Sequence, residues 1–361
     1  MDFSKQILMD ELIGQSSFTL EYFECPGEKV DFSFIVTSWK SKDDLLQCLS
    51  SLSRSVVGMD LHETIVVEAS STDEIVNALQ KLPYEVSAKL NLRIEKCEDR
   101  GWSHSVNVGI GLARGRWLIV ANQDIIFDET NLMTLLGFAR RHPEVHFLVP
   151  LLASASGEKR LMMRKLTFSR MFFVFTNIGS FFDAMLGRRV YKDFLLLEAD
   201  YETRKGFCRL EHPWMSLFVA RRTLFDRLGQ LDEAFWLYFA DSDFVKRCAI
   251  ADVPMVGMTS AVFHHSFAQS IKTRGEEGTL VLFFRDMLEY SKKWHVGFRM
   301  LRILLTLDAL FGPIITLVRS PAWFKSGRWI ARSKVLIRVL AMSNISAKPT
   351  PVLRNTRKPD S

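Results

Sequence analysis

Short apolar runs alternate with amphipathic segments along the first 125 residues. The apolar runs predict buried strands, and they are FSFIVT (32–37), TIVVEAS (64–70), LRIEKCE (92–98) and RWLIVANQD (116–124). The segments between them carry apolar residues at helical spacing, and they are residues 41–56, 71–82 and 103–114. Ser41 stands at the N-cap position of the first helix, and Ser71 with Glu74 forms a capping box for the second. This alternation predicts βαβ units around a mostly parallel sheet, and hence an α/β fold.

Polar residues follow the predicted strands, and in a parallel sheet ligands bind at the carboxyl ends of the strands. Asp124 stands where the buried run WLIVAN ends, in Asn122-Gln123-Asp124, and a carboxylate there can hold a hard divalent cation against phosphate oxygens. Capping of the following turn is the competing interpretation of Asp124, and both stay open.

The glycines of GIGLARG (109–115) superficially resemble a dinucleotide fingerprint. They lie at the end of a predicted helix, so the context predicts a tight turn into the next strand instead.

The second half of the chain predicts further strands and helices, with two more groups of polar residues. Residues 213–253 predict a strand, a helix, a loop and an acidic helix start, and residues 253–266 predict another strand. Asp241 follows the aromatic run FWLYF (235–239), whose walls would exclude water and tune a carboxylate for base chemistry. Asp241 or Ser242 could instead cap the helix that follows.

Two histidines, His264 and His265, end the last predicted strand. Neighbouring residues of a strand point to opposite faces, so at most one of the two reaches a site. A structural role is the commoner case for an isolated histidine, and a ligand role is the alternative.

The positive charge of the chain is concentrated at its C-terminal end. The whole chain has a formal charge of +6, whereas the residues from Ser291 onward carry 14 basic side chains against two acidic ones. The apolar stretch at 300–318 is interrupted by Arg302, Asp308 and Pro313, which makes a membrane-spanning helix a poor interpretation. Amphipathic helices on an anionic membrane surface account for both the apolar faces and the basic excess. Packing on the core or between subunits is an alternative; RNA binding is another, but no nucleic-acid-binding signature supports a nucleic-acid partner.

Composition indicates a globular protein without a disulfide framework. Hydrophobic residues make up 48% of the 361 positions and charged residues 24%, which excludes a mainly disordered or collagen-like chain. The five cysteines form no CxxC pair, and the start MDFSKQILMDELIG lacks the features of a secretory signal, so we expect a cytoplasmic protein. The predicted organisation is an N-terminal extension (1–30), one α/β domain (31–270) and a basic amphipathic helical region (271–361).

In their order along the chain, these segments resemble the inverting nucleotide-sugar glycosyltransferases of family 2, which have the GT-A fold, and among them the bacterial rhamnosyltransferase-like members. The resemblance covers about residues 31–270, with a looser similarity in RDMLEYSKKWHVG (285–297). The matching motifs are FIVTSW (34–39), VEASSTD (67–73), GW (101–102), NVG (107–109), ARG (113–115), NQD (122–124), RR (221–222), GQLDE (229–233), DSD (241–243) and HH (264–265) with Ser270.

The resemblance implies a Rossmann-like, mostly parallel sheet flanked by helices, and it divides the domain into two halves. Residues 31–150 would bind the nucleotide sugar and the metal, and residues 151–270 would bind the acceptor. The nucleotide base would lie near Thr37 and Glu68, and Arg100 would lie beside the donor pocket.

The resemblance also implies the chemistry. Mg²⁺ or Mn²⁺ would bridge Asp124 and the diphosphate, with His264 or His265 as a further ligand. Asp241 matches the catalytic base, which takes the proton of the acceptor hydroxyl. A dTDP-rhamnose-like donor and a glycan or lipid-linked acceptor of bacterial surface-polysaccharide assembly are expected. The basic tail then suits a peripheral position on the inner face of the cytoplasmic membrane.

Three positions depart from the family pattern. Glu68 stands where an aspartate is usual, Asn122 replaces the first acid of the DxD motif, and Ala240 replaces the glutamate before Asp241. They favour one alternative function, a catalytically silent GT-A module that binds nucleotide or a partner without sugar transfer. A sugar-1-phosphate nucleotidyltransferase is a further alternative, but the glycine-rich nucleotide loop of that class is absent near the N-terminus of the sequence.

Overall fold

A twisted sheet flanked by helices forms the centre of the computed structural model, which describes residues 30–70, 73–194, 206–266, 269–319 and 328–342. The strands are β1 (Phe32–Ser38), β2 (His62–Glu68), β3 (Leu92–Lys96), β4 (Trp117–Asn122), β5 (Ile125–Ile126), β6 (Phe147–Ala153), β7 (Lys159–Arg160), β8 (Met162–Met163), β9 (Phe207–Arg209), β10 (His212–Pro213), β11 (Leu217–Arg221) and β12 (Met255–His265). The helices are α1 (Lys42–Ser55), α2 (Asp73–Gln80), α3 (Tyr84–Leu90), α4 (Trp102–Leu112), α5 (Glu129–Arg141), α6 (Phe168–Phe175), α7 (Asn177–Met185), α8 (Arg189–Phe194), α9 (Arg222–Leu228), α10 (Ala240–Ile250), α11 (Gln269–Lys293), α12 (Phe298–Arg319) and α13 (Arg328–Ala341).

The main sheet has the strand order β3-β2-β1-β4-β11-β6-β12-β5. Strands β1 to β4 run parallel to one another, and β6 runs parallel to β12. Strand β11 runs antiparallel between β4 and β6. The predicted α/β fold with a mostly parallel sheet is therefore confirmed, together with the C-terminal helices. Periodicity could not indicate the reversal of β11, because the hydrophobic pattern of a fully buried strand is the same whether the strand runs parallel or antiparallel to its neighbours.

Local sequence signals explain some of the helix starts. Ser41 stands at the N-cap position of α1 as predicted, but its hydroxyl donates to the Asp44 carboxylate and makes no capping bond to the backbone. Asp128 caps α5 by accepting a hydrogen bond from the Asn131 amide at 2.9 Å. The predicted capping residue Ser71 lies outside the described residues, as does the N-terminal extension up to residue 29.

Both faces of the sheet are covered by separate apolar clusters. Helices α1, α2 and α5 pack on one face, and α4, α9 and α10 pack on the other. The residues of GIGLARG end α4 and lead into β4, as predicted, and Gly115 lies so close to β1 that an added Cβ would be 2.6 Å from the Ser33 amide. The tight turn thus lets the chain pass directly from helix to central strand.

A third apolar cluster joins the C-terminal helices to the rest of the chain. It combines side chains of α11, α12 and α13 with Met171, Phe194, Phe235 and Phe239 from the middle of the chain. Among the described residues, no helix is long and apolar enough to cross a membrane. The boundaries predicted at residues 30 and 270 stay predictions.

Candidate active site

The carboxyl ends of the central parallel strands bring the first group of candidate residues to one edge of the sheet. In the strand register, Thr37 of β1 lies beside Asn122 of β4, and Ser38 lies beside Glu68 of β2. We call Thr37, Ser38, Glu68, Asn122 and Asp124 the strand-edge group. Thr37, Ser38, Glu68 and Asp124 are all buried, so any ligand that reaches them would leave bulk water.

Glu68 offers an unused acceptor at this edge. Its Oε1 accepts hydrogen bonds from the amide and the hydroxyl of Ser70, the amide at 2.6 Å. Its Oε2 is buried and has no hydrogen-bond partner among the described residues, and the same holds for the neighbouring Ser38 hydroxyl. Buried polar atoms are normally satisfied, so this pair indicates a place where a ligand supplies the missing bonds.

Asp124 follows β4 and lies against the end of β12. Its Oδ1 is 3.2 Å from His265 Nε2, and both side chains are about 8% exposed. His264, one residue earlier, is exposed, so the two histidines point to opposite faces and only His265 reaches Asp124. A carboxylate beside an imidazole is a donor pair that suits Mn²⁺ or Mg²⁺ with ligand oxygens completing the shell. Across the described part of the chain, no group of three or more His, Cys, Asp or Glu side chains is placed to hold a metal by itself.

Asn122, at the first position of the DxD-like triplet, is occupied by a protein contact. Its Oδ1 accepts a hydrogen bond from Trp102 Nε1 at 2.9 Å. The backbone amide of Trp102 donates to the Trp236 carbonyl at 2.6 Å. Trp102 therefore connects the strand-edge group to the aromatic run 235–239.

Asp241 lies in the first turn of α10, directly after that aromatic run. The helix begins at Ala240, and Phe239 occupies the N-cap position without a side-chain bond, so the alternative interpretation, in which Asp241 or Ser242 caps the helix, is wrong. Asp241 Oδ1 accepts from the Ser242 amide at 2.7 Å, while the Ser242 hydroxyl lies 3.0 Å from His212 Nε2. Asp241 is half-buried, which leaves its carboxylate accessible for chemistry.

Phe239 adopts the left-handed backbone conformation with φ of 61°, which is unfavourable for a bulky residue. Its buried ring packs against Phe175, Phe283 and Tyr290. Such strain persists only where the surroundings enforce it, and it is common at functional sites. Here the ring contacts hold the turn that places Asp241.

The aromatic run is also fastened through its backbone to α11. Asp286 is fully buried, and its Oδ2 accepts hydrogen bonds from the amides of Leu237 and Tyr238, both at 3.0 Å. Burial raises the pKa of Asp286 to about 6, although these amide bonds act in the opposite direction.

A buried ionic network fixes the other side of the loop. Lys293 Nζ lies 2.6 Å from both Asp232 Oδ2 and Asp243 Oδ1, and Asp243 also pairs with Arg247 at 3.0 Å. Trp294 Nε1 donates to Asp243 at 2.9 Å. We call residues 232–243 with these partners the clamped loop. Sequence reasoning missed Lys293 and Trp294, although they stand in the segment RDMLEYSKKW that carried the looser family similarity.

Arg100 takes part in a third polar cluster. Its guanidinium lies 3.0 Å from the Glu233 carboxylate, which His104 Nδ1 and Asn107 Nδ2 also contact at 3.1 Å. These charges and hydrogen bonds lower the pKa of Glu233 against the opposing effect of burial. The structure thus places Arg100 between α4 and the clamped loop, and its predicted contact with the donor stays a prediction.

An open pocket of about 660 Å³ lies behind the first turn of α10. Thr167, His212, Ser242, Lys246 and Tyr290 are among its lining residues. Ser242 lines this pocket, and its backbone amide donates a hydrogen bond to the Asp241 carboxylate. The space is therefore adjacent to the predicted base.

The fold and these side chains can be compared with known proteins. Residues 33–194 match the model of the family described as Glycosyl transferase family 2. This segment is similar to glycosyl transferase family 2. It contains Thr37, Glu68, Arg100 and Asp124, whereas Asp241 and His265 lie beyond it. The match agrees with the family that the motifs resemble, and the rhamnosyltransferase-like subgroup stays a prediction.

The solved structures that are similar to this chain have low sequence identity to it. The crystal structure of S. aureus TarS 1-349 is 14% identical, with 86% of this chain and 81% of that chain covered and a TM-score of 0.46. The mannosyltransferase PcManGT from Pyrobaculum calidifontis, in complex with GDP-Man and Mn²⁺, is 14% identical, with 90% and 89% covered and a TM-score of 0.47. No curated protein matches the chain.

Proposed function

We propose that the protein is an inverting glycosyltransferase that moves a sugar from a nucleoside-diphosphate sugar to a hydroxyl of a glycan or lipid-linked acceptor. The observation that carries the proposal is the separation of two carboxylates. Asp124 stands in the strand-edge group beside His265, and Asp241 stands at the end of the clamped loop. One carboxylate is thereby available for a cation and diphosphate, and a second one for a proton.

On the donor side, the strand-edge group supplies the contacts. The partnerless oxygens of Ser38 and Glu68 support binding of a nucleoside there, because base and ribose donors and acceptors would satisfy them. Asp124 and His265 would hold Mg²⁺ or Mn²⁺, which supplies positive charge against the negative charge of the departing diphosphate. A dTDP-rhamnose-like donor is the one that the motifs favour.

On the acceptor side, Asp241 would accept the proton of the acceptor hydroxyl. The acceptor oxygen forms a bond to the anomeric carbon while the bond from that carbon to the diphosphate oxygen breaks, and the diphosphate leaves with the electron pair. Attack from the face opposite the leaving group inverts the anomeric configuration. The hydrogen bonds from Ser242 to Asp241 orient the carboxylate for this step.

A setting in bacterial surface-polysaccharide assembly, at the inner face of the cytoplasmic membrane, belongs to the same proposal. Its support is the excess of basic residues from Ser291 onward, which suits an enzyme that meets a lipid-linked acceptor at an anionic surface.

A catalytically silent module that only binds nucleotide is the second candidate. It is favoured by the contact between Asn122 and Trp102, because that contact uses the first position of the DxD-like triplet for structure. The two candidates differ in what they require of Asp124, since a silent module binds nucleotide without a cation.

The deciding experiment is a calorimetric titration of the purified chain with dTDP, UDP and GDP, each with and without Mn²⁺. We expect tight binding of one nucleotide that depends on Mn²⁺ and that Asp124→Ala abolishes. Asp60→Ala, which removes an exposed aspartate in the loop before β2, is the matched control and should bind as the unaltered chain does. Nucleotide binding that is unchanged by Mn²⁺ and by Asp124→Ala would favour the silent module over the transferase.

A further inference from the structure

Helix α12 presents an apolar face to solvent that the rest of the fold leaves uncovered. Seven large apolar side chains of this helix are between 37% and 60% exposed. They are Met300, Ile303, Leu307, Leu310, Phe311, Ile314 and Leu317. We call these seven residues the α12 stripe. From Met300 to Leu317, Thr306 is the one other exposed position among the described side chains of the helix.

The α12 stripe is a continuous band. At about 100° of rotation per residue, its members fall within roughly 120° of the helix circumference. Helices of soluble monomers normally bury such a band, and contiguous exposed apolar patches beyond a few hundred Å² mark interaction sites. The opposite side of α12 carries Leu301, Leu305 and Ala309, which are buried against the third apolar cluster.

The charged residues that interrupt this stretch in sequence all turn toward the protein. Asp308 is buried, accepts a hydrogen bond from the Ile178 amide at 2.9 Å and faces Arg332 at 3.6 Å. Arg302 donates to the Leu340 carbonyl at 2.8 Å. From Met300 to Leu317, the described exposed side chains of α12 therefore include no charged residue, although the sequence of this stretch contains an arginine and an aspartate.

Exposed basic residues stand on, or directly after, the helices that pack against α12. On α13, the described exposed positions alternate between apolar and basic side chains up to Arg338, and they are Ile330, Lys334, Ile337, Arg338 and Ala341. Helix α7 ends in the exposed Phe182 and Met185, and the exposed Arg188 and Arg189 follow. Arg299 is exposed at the start of α12. Apolar residues at the centre with cations at the border are the pattern of helices that lie in a membrane interface.

We propose that the α12 stripe inserts into the surface of an anionic lipid bilayer, with α12 lying parallel to the membrane plane. The charge complementarity selects the bilayer over other apolar occupants, because Arg188, Arg189, Lys334 and Arg338 would meet lipid phosphates. A second copy of the chain would bring the same cations together, which is unfavourable. The proposal deepens the membrane setting given under the proposed function and rests on that part of it, whereas vesicle binding and sugar transfer are measured separately because the candidate active site does not use this surface.

The experiment is co-sedimentation of the full chain with two kinds of vesicle. One kind contains phosphatidylcholine alone, and the other contains phosphatidylcholine with about 30% phosphatidylglycerol, which is anionic. We expect binding to the anionic vesicles that is at least about tenfold tighter than to the neutral ones, and that weakens in 1 M KCl as charges are screened. The double variant Leu310→Glu/Ile314→Glu should lose at least about tenfold in partitioning, because both side chains would enter the apolar layer as charges.

Tyr84→Glu is the matched control, since Tyr84 is 81% exposed on α3, away from the C-terminal helices. Unchanged thermal unfolding of all variants, and nucleotide binding measured separately, distinguish a failure here from a failure of the proposed function. Binding that survives the double variant would overturn the proposal. Absence of vesicle binding would overturn it as well, and a dimer in light scattering that the double variant dissociates would then identify a second copy of the chain as the occupant of the stripe.

Discussion

The two carboxylates of the candidate site are positioned by different physical means. Asp124 follows a central strand, and its neighbour His265 comes from the end of another strand, so sheet topology alone brings them together. Asp241 sits on a strained turn that is held by Asp286 and Lys293, both about 50 residues later in the chain. The strand-edge group thus depends on hydrophobic strand packing, and the clamped loop depends on buried charge. Perturbing each region should therefore have a distinct signature.

The largest effect is expected from Asp241→Asn. An amide cannot accept the acceptor proton, so release of nucleoside diphosphate from the matching sugar nucleotide should fall by about 10²- to 10⁴-fold. Nucleotide affinity should stay the same, because the strand-edge group is untouched. The measurement pairs a turnover assay with calorimetry, and Asp60→Asn serves as the control. Full turnover in the Asp241 variant would show that Asp241 is not the catalytic base.

The next effect is on stability, through Lys293→Met. The side chain length is kept, but Asp232 and Asp243 lose the cation that lies 2.6 Å from each. Leaving buried carboxylates without compensation costs about 3–5 kcal/mol of the free energy of unfolding, measured by urea denaturation.

Lys42→Met is the control for that substitution, because Lys42 makes a 2.7 Å ion pair with Glu74 on the surface. Its effect should be far smaller, since exposed ion pairs add little stability. Equal losses for the two lysines would contradict the view that buried charge holds the clamped loop.

The same contrast explains what the sequence could predict. The strands, their polar ends and the position of Asp124 follow from periodicity, because parallel strands deliver their carboxyl ends to one edge. The clamp could not be predicted, because Lys293 and Asp286 stand on an ordinary amphipathic helix and only tertiary packing shows that their side chains are buried. The alternative interpretation of Asp241 or Ser242 as an N-cap was wrong for a related reason: aromatic packing fixes the N-cap of α10 at Phe239 in place of a polar residue. The exposed α12 stripe was hidden by Arg302 and Asp308, which the fold turns inward.

A pH-dependent effect is expected from Asp286→Asn. Burial raises the pKa of Asp286 from 3.8 to about 6, so the folded state binds the proton more tightly than the unfolded state. The free energy of unfolding of the unaltered chain therefore falls as the pH rises from about 4 to 6 because of this group.

The asparagine variant lacks that loss while its amide oxygen still accepts from Leu237 and Tyr238. Relative to the unaltered chain, it should gain up to roughly 3 kcal/mol at pH 7 and little at pH 4. Urea denaturation at both pH values tests this. A gain that is the same at both values would show that a charge on Asp286 is not the cause.

The smallest effect is expected at the point where the two regions meet. Trp102→Phe removes the 2.9 Å bond to Asn122 but keeps the aromatic body and the backbone bond to the Trp236 carbonyl. The loss of one such hydrogen bond costs about 0.5–1.5 kcal/mol. A double-mutant cycle with Lys293→Met then measures the coupling between the strand-edge group and the clamped loop. If the two losses add to within about 0.5 kcal/mol, the regions are held independently. A larger coupling energy would mean that the buried charges also position Asn122, and the division between the two regions would fail at Trp102.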